Sequence, residues 1–314
     1  MQLKSSAGLN RGAAFAVLFV ASVLPLHAQA NPNQVALLQW YLADTTSSFP
    51  TQTAPWGIVF DGANIWVVNS LSGTLSKFRP SDGALLATVS VGEVAQRMAY
   101  DGTNLWLVNY NIGGILKVRP SDGYILTATS IKGATGIAFD GGTMWVNGNG
   151  VIDQLRVSDM AILKSVSVPC NVLELFYEGI NVWGVCPASN QVLKFPINST
   201  TPQLQTVGSY PVGLTFDGAN IWVANEFSGT VTKLNGLNMA VLGTYTVGSY
   251  PESVEFDGAN IWVANEGSST LTKLRASDGA NLGSVSTPSS PVHLAFDGAH
   301  IWATQYNANS VGKY

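Results

Sequence analysis

Short apolar runs broken by polar turns repeat along the chain with a constant order. In the clearest unit, Pro211 to Phe216 reads as a first strand, Asp217-Gly218-Ala219-Asn220 as a tight turn and Ile221 to Asn225 as a second strand. Gly229 to Leu234 reads as a third strand. After a turn near Gly236, Ala240 to Val247 reads as a fourth. The stretch Phe60-Asp61-Gly62-Ala63-Asn64-Ile65-Trp66 has counterparts at 100–106, 139–145, 177–183, 216–222, 256–262 and 296–302. Its seven tryptophans lie 40, 39, 38, 39, 40 and 40 residues apart, the period of a repeat architecture. Every copy of the first turn keeps its Gly, as a hairpin turn with positive φ requires. The Asp and Asn beside it are read as partners for turn backbone groups, not as a metal loop, because they come with the repeat.

Strands two and four read as apolar on both faces, as in Ile221-Trp222-Val223-Ala224 and Val241-Leu242. Such a strand is expected between two layers, and four-stranded sheets packed face to face are propeller blades. The predicted fold is all-β, a seven-bladed β-propeller of four-stranded blades, with the tryptophans between blades. The last copy stops at Val311-Gly312-Lys313-Tyr314, after its third strand. Ala36-Leu37-Leu38-Gln39-Trp40-Tyr41-Leu42 resembles a fourth strand such as Ala84 to Val89, so residues 35–50 are expected to supply the outer strand of blade seven and close the ring.

Composition changes the picture at the N-terminus. Lys4 and Arg11 precede an apolar run from Ala13 to Pro25, and Ala28-Gln29-Ala30 fits a signal-peptidase site. Residues 1–30 therefore read as a signal peptide and 31–314 as one propeller domain, secreted or periplasmic, with no membrane insertion after cleavage. The 314 residues hold 15 basic and 19 acidic side chains without a basic run, which argues against nucleic acid as a partner. A monomer is expected. In an oxidising compartment Cys170 and Cys186 read as a disulfide. Cys186 stands in the ring Asn69, Asn109, Gly148, Cys186, Asn225, Asn265 and Gln305, whose recurrent Asn is read as holding loop backbone.

The repeat, exemplified by Tyr250-Pro251, Phe256-Asp257-Gly258-Ala259-Asn260-Ile261-Trp262-Val263-Ala264-Asn265, Thr272-Lys273-Leu274 and Ser277-Asp278-Gly279, resembles the YVTN and NHL-type repeats of bacterial extracytoplasmic propellers. It is also similar to the virginiamycin B lyase group of seven-bladed propellers. That resemblance implies a metal-assisted lyase, with histidines and glutamates, as an alternative activity. The mature chain has two histidines, His293 and His300, and His300 replaces a turn Asn.

Candidate chemistry lies where the repeat is broken. One position of the first strand reads Gly57, Arg97, Gly136, Glu174, Gly213, Ser253 and His293 around the ring. Gly there suggests a close backbone approach. Trp56, Glu252 and Glu255 flank it, and Tyr110, Glu226, Glu266 and Tyr306 follow the Asn ring on the same face. Two readings stay open. Arg97 and Glu174 form internal ion pairs with His293 as a hydrogen-bonded channel residue. Alternatively, they line a pocket at the channel mouth for a protein, peptide or glycan, with Trp56 as a stacking surface, Arg97 for an anion, and Glu174, Glu252 and Glu255 with His293 for a cation or hydroxyls. The first function expected is non-enzymatic ligand binding or protein interaction at the channel mouth. The alternative is a metal-assisted lyase or hydrolase there, with His293 as acid or base and Glu174, Glu252 or Glu255 as ligands. The residues establish no cofactor, and a divalent metal is the one the alternative would use. The lysines Lys77, Lys117, Lys194, Lys233, Lys273 and Lys313 recur with the fold, with Gln154 in blade three, and are expected to pair with the turn acids.

Overall fold

The structure, a computed structural model, describes residues 47–92, 95–110 and 113–314. These form twenty-eight strands in seven four-stranded antiparallel sheets. Blades one to six cover 55–90, 95–130, 137–167, 175–206, 211–246 and 251–286, and blade seven 291–313. Each first strand packs against the first strand of the next blade, and that of blade seven (Pro291–Phe296) against that of blade one (Pro55–Phe60). The ring is therefore closed.

Closure is completed by Ser47–Pro50, which pairs antiparallel with Ser310–Lys313 and supplies the fourth strand of blade seven. The strand falls within the expected 35–50 window, whereas the apolar segment 36–42 lies outside the described residues. Side-chain register shows that Ser47–Pro50 is a true outer strand. Phe49 faces Val311 and covers Gly83, in the three-to-four turn of blade one. Val89 of blade one covers Gly123 of blade two in the same way, and Tyr245 of blade five covers Gly279 of blade six.

The first turn shows how the repeat holds its tryptophan. Gly218 has φ 95°, and its six counterparts are also positive. Asp217 Oδ1 accepts from the backbone N–H of Ala219 (2.9 Å) and Asn220 (2.7 Å), while Oδ2 accepts from Trp222 Nε1 at 2.8 Å. The same indole–carboxylate bond ties Trp66, Trp106, Trp145, Trp262 and Trp302 to their turn aspartates. All seven tryptophans are buried between blades.

Two expectations are corrected. Second strands are buried along their length, but fourth strands are largely exposed: Leu85 and Leu86 are 47% and 42% exposed, Val241 and Leu242 48% and 51%. The outer strand is the free edge of a blade, beyond the reach of its neighbours. The lysines, too, are not generally paired with turn acids. Among the described residues only Lys273 makes that ion pair, 3.6 Å from Asp257. The turn carboxylates are already taken by amides and an indole, so the lysines turn elsewhere. Each lies over its own tryptophan, as Lys233 does at 4.8 Å from the Trp222 ring centroid. Several reach on to carbonyls of the next blade: Lys233 Nζ donates to Ala276 O (2.7 Å), Lys194 to Leu237 O (2.6 Å) and Lys313 to Pro80 O (2.7 Å). In blade three Lys164, from the fourth strand, takes this role over Trp145. The lysine ring is an inter-blade clip.

Candidate functional site

The central channel is bounded by the seven first strands, and glycine sets how closely they approach. A Cβ on Gly57 would lie 2.4 Å from Gln96 O and 3.3 Å from Arg97 Cα. One on Gly136 would lie 2.9 Å from Glu174 Cα, and one on Gly213 2.6 Å from Glu252 O and 3.1 Å from Ser253 Cα. Blades one, three and five thus use Gly to admit the backbone of the next strand. Blades two, four and six carry Arg97, Glu174 and Ser253 opposite those glycines, and His293 completes the ring. The expected close approach and the broken repeat are two halves of one arrangement.

These side chains gather around a cavity of about 130 Å³ lined by Gly57, Arg97, Glu174, Ser253, Glu255 and His293, with apolar neighbours that include Ile58, Ile137 and Leu214. Arg97 forms an ion pair with Glu174, as the internal-pair reading expected, and its charge also acts on the Tyr110 hydroxyl. Burial pushes the Glu174 carboxyl up and Arg97 pulls it back. Burial opposes the Arg97 charge, but Glu174, Tyr110 and Glu252 outweigh it and hold the guanidinium protonated. Arg97 is therefore not a free anion receptor.

The other polar groups are neutral near pH 7. Burial, reinforced by Glu174, pushes Glu255 up to about 8, so its carboxyl both donates and accepts. Burial and the Arg97 charge hold His293 well below the ordinary histidine range. Neither ring nitrogen of His293 has a hydrogen-bond partner within the described protein, and both are buried. The expectation of a hydrogen-bonded channel histidine is thus corrected: the Arg97 charge and apolar surroundings leave nothing to satisfy it. Trp56 lies beside His293, ring centroids 5.9 Å apart, and meets Tyr306 edge-on at 5.4 Å. Its indole Nε1 is likewise buried without a partner. Glu252 sits toward the rim, where burial and Glu226 push it up to about 7.

Thr304 and Asn147 hold this geometry, and both escaped the sequence reading. Thr304 Oγ1 donates to Trp56 O at 2.8 Å and accepts from His293 N–H at 3.0 Å, joining the backbones of blades seven and one. Asn147 Oδ1 accepts from the Gly136 N–H, while its Nδ2 donates to Val172 O, joining blades three and four. Both stand two residues after a conserved-in-repeat tryptophan, where the other blades carry Val or Ala. That departure from an apolar column was the available signal.

In the outer ring, Asn69, Asn225 and Asn265 donate to hydroxyls within the third strand, such as Asn225 Nδ2 to Thr232 Oγ1 at 2.9 Å. Where Cys186 replaces Asn, it forms a disulfide with Cys170, Cα atoms 5.8 Å apart. Among the described residues, no group of three or more His, Cys, Asp or Glu side chains is placed to hold a metal ion. Glu174 is committed to Arg97, so the metal set the lyase resemblance implies does not fit the residues present. No helix among the described residues is long and apolar enough to cross a membrane.

No family model matches the chain, and no curated protein matches it. Solved structures do. A streptogramin B lyase structure superposes with a TM-score of 0.74 at 15% identity, covering 85% of this chain and 96% of the other. Hydrazine synthase of Kuenenia stuttgartiensis gives 0.72 at 15% identity, with 85% and 96% covered. A chain of a mitotic checkpoint complex gives 0.75 at 10% identity, with 86% and 92% covered. At these identities the likeness is one of fold, and the three neighbours have unrelated roles.

Proposed function

We propose that this chain is an exported, non-enzymatic propeller that binds a ligand at the channel mouth. One observation carries the reading: the side chains that break the repeat converge on one cavity, and both ring nitrogens of His293 are left unpaired there. Glu255 and His293 are neutral and the one ion pair is internally balanced. Such a set complements an uncharged hydrogen-bonding group, a hydroxyl or an amide, with the Trp56 ring alongside. At about 130 Å³ the cavity is below the roughly 300–1,000 Å³ of pockets that enclose a whole drug-sized ligand. It suits one group of a larger glycan or peptide. The disulfide fits an oxidising compartment.

The test is a thermal-shift screen of glycans and peptides on the purified protein, with His293→Ala and Glu255→Gln beside the wild type. Saturable stabilisation of the wild type that both variants lose is expected. A shift that both variants keep would place binding elsewhere and overturn the proposal.

A catalytic reading, a lyase or hydrolase, has one observation in its favour: Glu252, with a carboxyl pushed up to about 7, stands at the mouth as a group able to give and take a proton. The likeness to the streptogramin B lyase structure is of fold alone. Turnover of a cyclic peptide that Glu252→Gln abolishes would favour this reading over binding.

A further inference from the structure

Charge is divided between the two faces of the ring. The one-to-two and three-to-four turns share the far face, which is internally balanced. There, Arg79, Arg119, Arg156 and Arg275 each pair with an aspartate three residues on, and the lysines that clip the blades share the face with the turn aspartates. The two-to-three loops and the links between blades share the mouth face. Among the described residues its Lys and Arg side chains are Arg97, committed to Glu174, and Lys132. On blades five and six, Glu226, Glu252 and Glu266 make no ion pair with any described residue. They act on one another instead, since Glu226 and Glu266 both push Glu252 up.

The same two blades carry an exposed aromatic cluster. Tyr210 and Phe227 stack at 4.2 Å with an interplanar angle of 13°, and Phe227 meets Tyr250 edge-on at 6.4 Å. Phe227 is 58% exposed and Tyr250 52%. Tyr210 and Tyr250 are both in the left-handed region, φ 57° and 51°. Blades one and seven fill that place with Ala54 and Ser290. Any side chain there costs about 1 kcal/mol or more, and only the two adjacent blades five and six fill the place with a ring. In blade six Gly267 replaces the counterpart of Phe227, and Tyr250 occupies the space a Cβ would take, 2.3 Å away. Each tyrosine carbonyl accepts from the following loop's glutamate amide, Tyr210 O from Glu226 N and Tyr250 O from Glu266 N, both at 2.9 Å. The backbones that carry the rings and the carboxylates are thus tied together.

From this juxtaposition we infer that the mouth face over blades five and six docks an arginine-bearing segment of a basic peptide or protein. Exposed aromatic faces beside unpaired carboxylates match a planar guanidinium, which stacks on rings and accepts carboxylate partners in its plane. A metal ion would use the carboxylates and leave the rings idle. A glycan would use the rings and leave the charge uncompensated. This surface lies beside the cavity and stands whether or not the cavity takes its own ligand.

The test uses a fluorescein-labelled Gly-Arg-Gly-Arg-Gly peptide, measured by anisotropy against the full protein at low and physiological salt. Its control has citrulline in place of arginine, which keeps shape and removes charge. The arginine peptide is expected to bind more weakly as salt rises, and the citrulline peptide to be lost. Phe227→Ala, at an exposed position, should weaken binding by about 3- to 30-fold, with its thermal melt confirming the fold. Glu226→Gln with Glu266→Gln should weaken it further and flatten the salt dependence. Equal binding of the citrulline peptide, or no effect of Phe227→Ala, would overturn the inference. So would displacement by millimolar calcium chloride that is identical in wild type and Phe227→Ala.

Discussion

The indole N–H of Trp183 is buried without a partner, whereas six other tryptophans donate theirs to a turn aspartate. Blade four has Glu178 in that place, and its carboxylate is spent on Ile180 N, Asn181 N and the Asn181 side chain. Glu178→Asp should restore the missing bond and raise stability by about 1 kcal/mol, measured by urea denaturation. An unchanged or lower midpoint would show that the extra methylene is not the cause. Glu255 makes a second residue-scale prediction. Its carboxyl is pushed from an ordinary 4.5 to about 8 in the fold, so the folded chain keeps a proton that the unfolded chain releases. Its contribution to stability therefore falls as pH rises from about 4.5 to 8. Glu255→Gln removes that cost. The melting temperature of the variant minus that of the wild type should be small at pH 4 and rise to a plateau above pH 8. A difference independent of pH would contradict the shift. Both features were out of reach of the sequence: Glu255 was a candidate there and Glu178 was not singled out, and protonation and the spent carboxylate depend on burial and on which groups lie near.

Within a blade, strand order, turn residues and the tryptophan period were all legible, because each follows from local alternation and turn chemistry. Between blades, the buried tryptophans and the close approach at Gly57, Gly136 and Gly213 were legible too, but the outer edge and the lysine contacts were not. The fourth strands carry the same apolar pairs as buried strands, yet Leu85, Leu86, Val241 and Leu242 sit on a free edge. The lysines repeat at a fixed place, but only packing shows that they lie over tryptophans and clip the next blade. Glycine is the element that sets inter-blade spacing at the channel. Gly213→Ala would put a Cβ 2.6 Å from Glu252 O, backbone that cannot rotate aside, and should cost about 1–3 kcal/mol. The same substitution at a position in open space with compatible φ costs little. A Gly213→Ala protein as stable as the wild type in urea would mean that the first strands are freer to separate than the ring implies.

At the scale of the molecule, closure depends on Ser47–Pro50, whose Phe49 packs on Trp302 at 5.7 Å and covers Gly83 of blade one. Phe49→Ala should destabilise the whole ring by about 2–4 kcal/mol, read as one cooperative shift in circular dichroism and tryptophan fluorescence. Loss of blade seven alone, with the other blades melting at the wild-type temperature, would contradict a ring held by a single latch. The repeat that made the fold readable also marked the site, since Arg97, Glu174 and His293 were visible as its exceptions and do meet at one cavity. The Arg97–Glu174 pair was one of two readings the sequence left open, and choosing between them, like finding that His293 has no partner, needed the spacing of first strands from different blades, since Arg97 and Glu174 are 77 residues apart. The central claim is that this cavity receives an uncharged polar group. Diffraction from crystals soaked in hydroxyl- and amide-bearing fragments tests it most directly. The expected result is fragments bound in the cavity with polar atoms within hydrogen-bond distance of His293 and Glu255. Fragments bound repeatedly at other surfaces, with the cavity never among them, would contradict it.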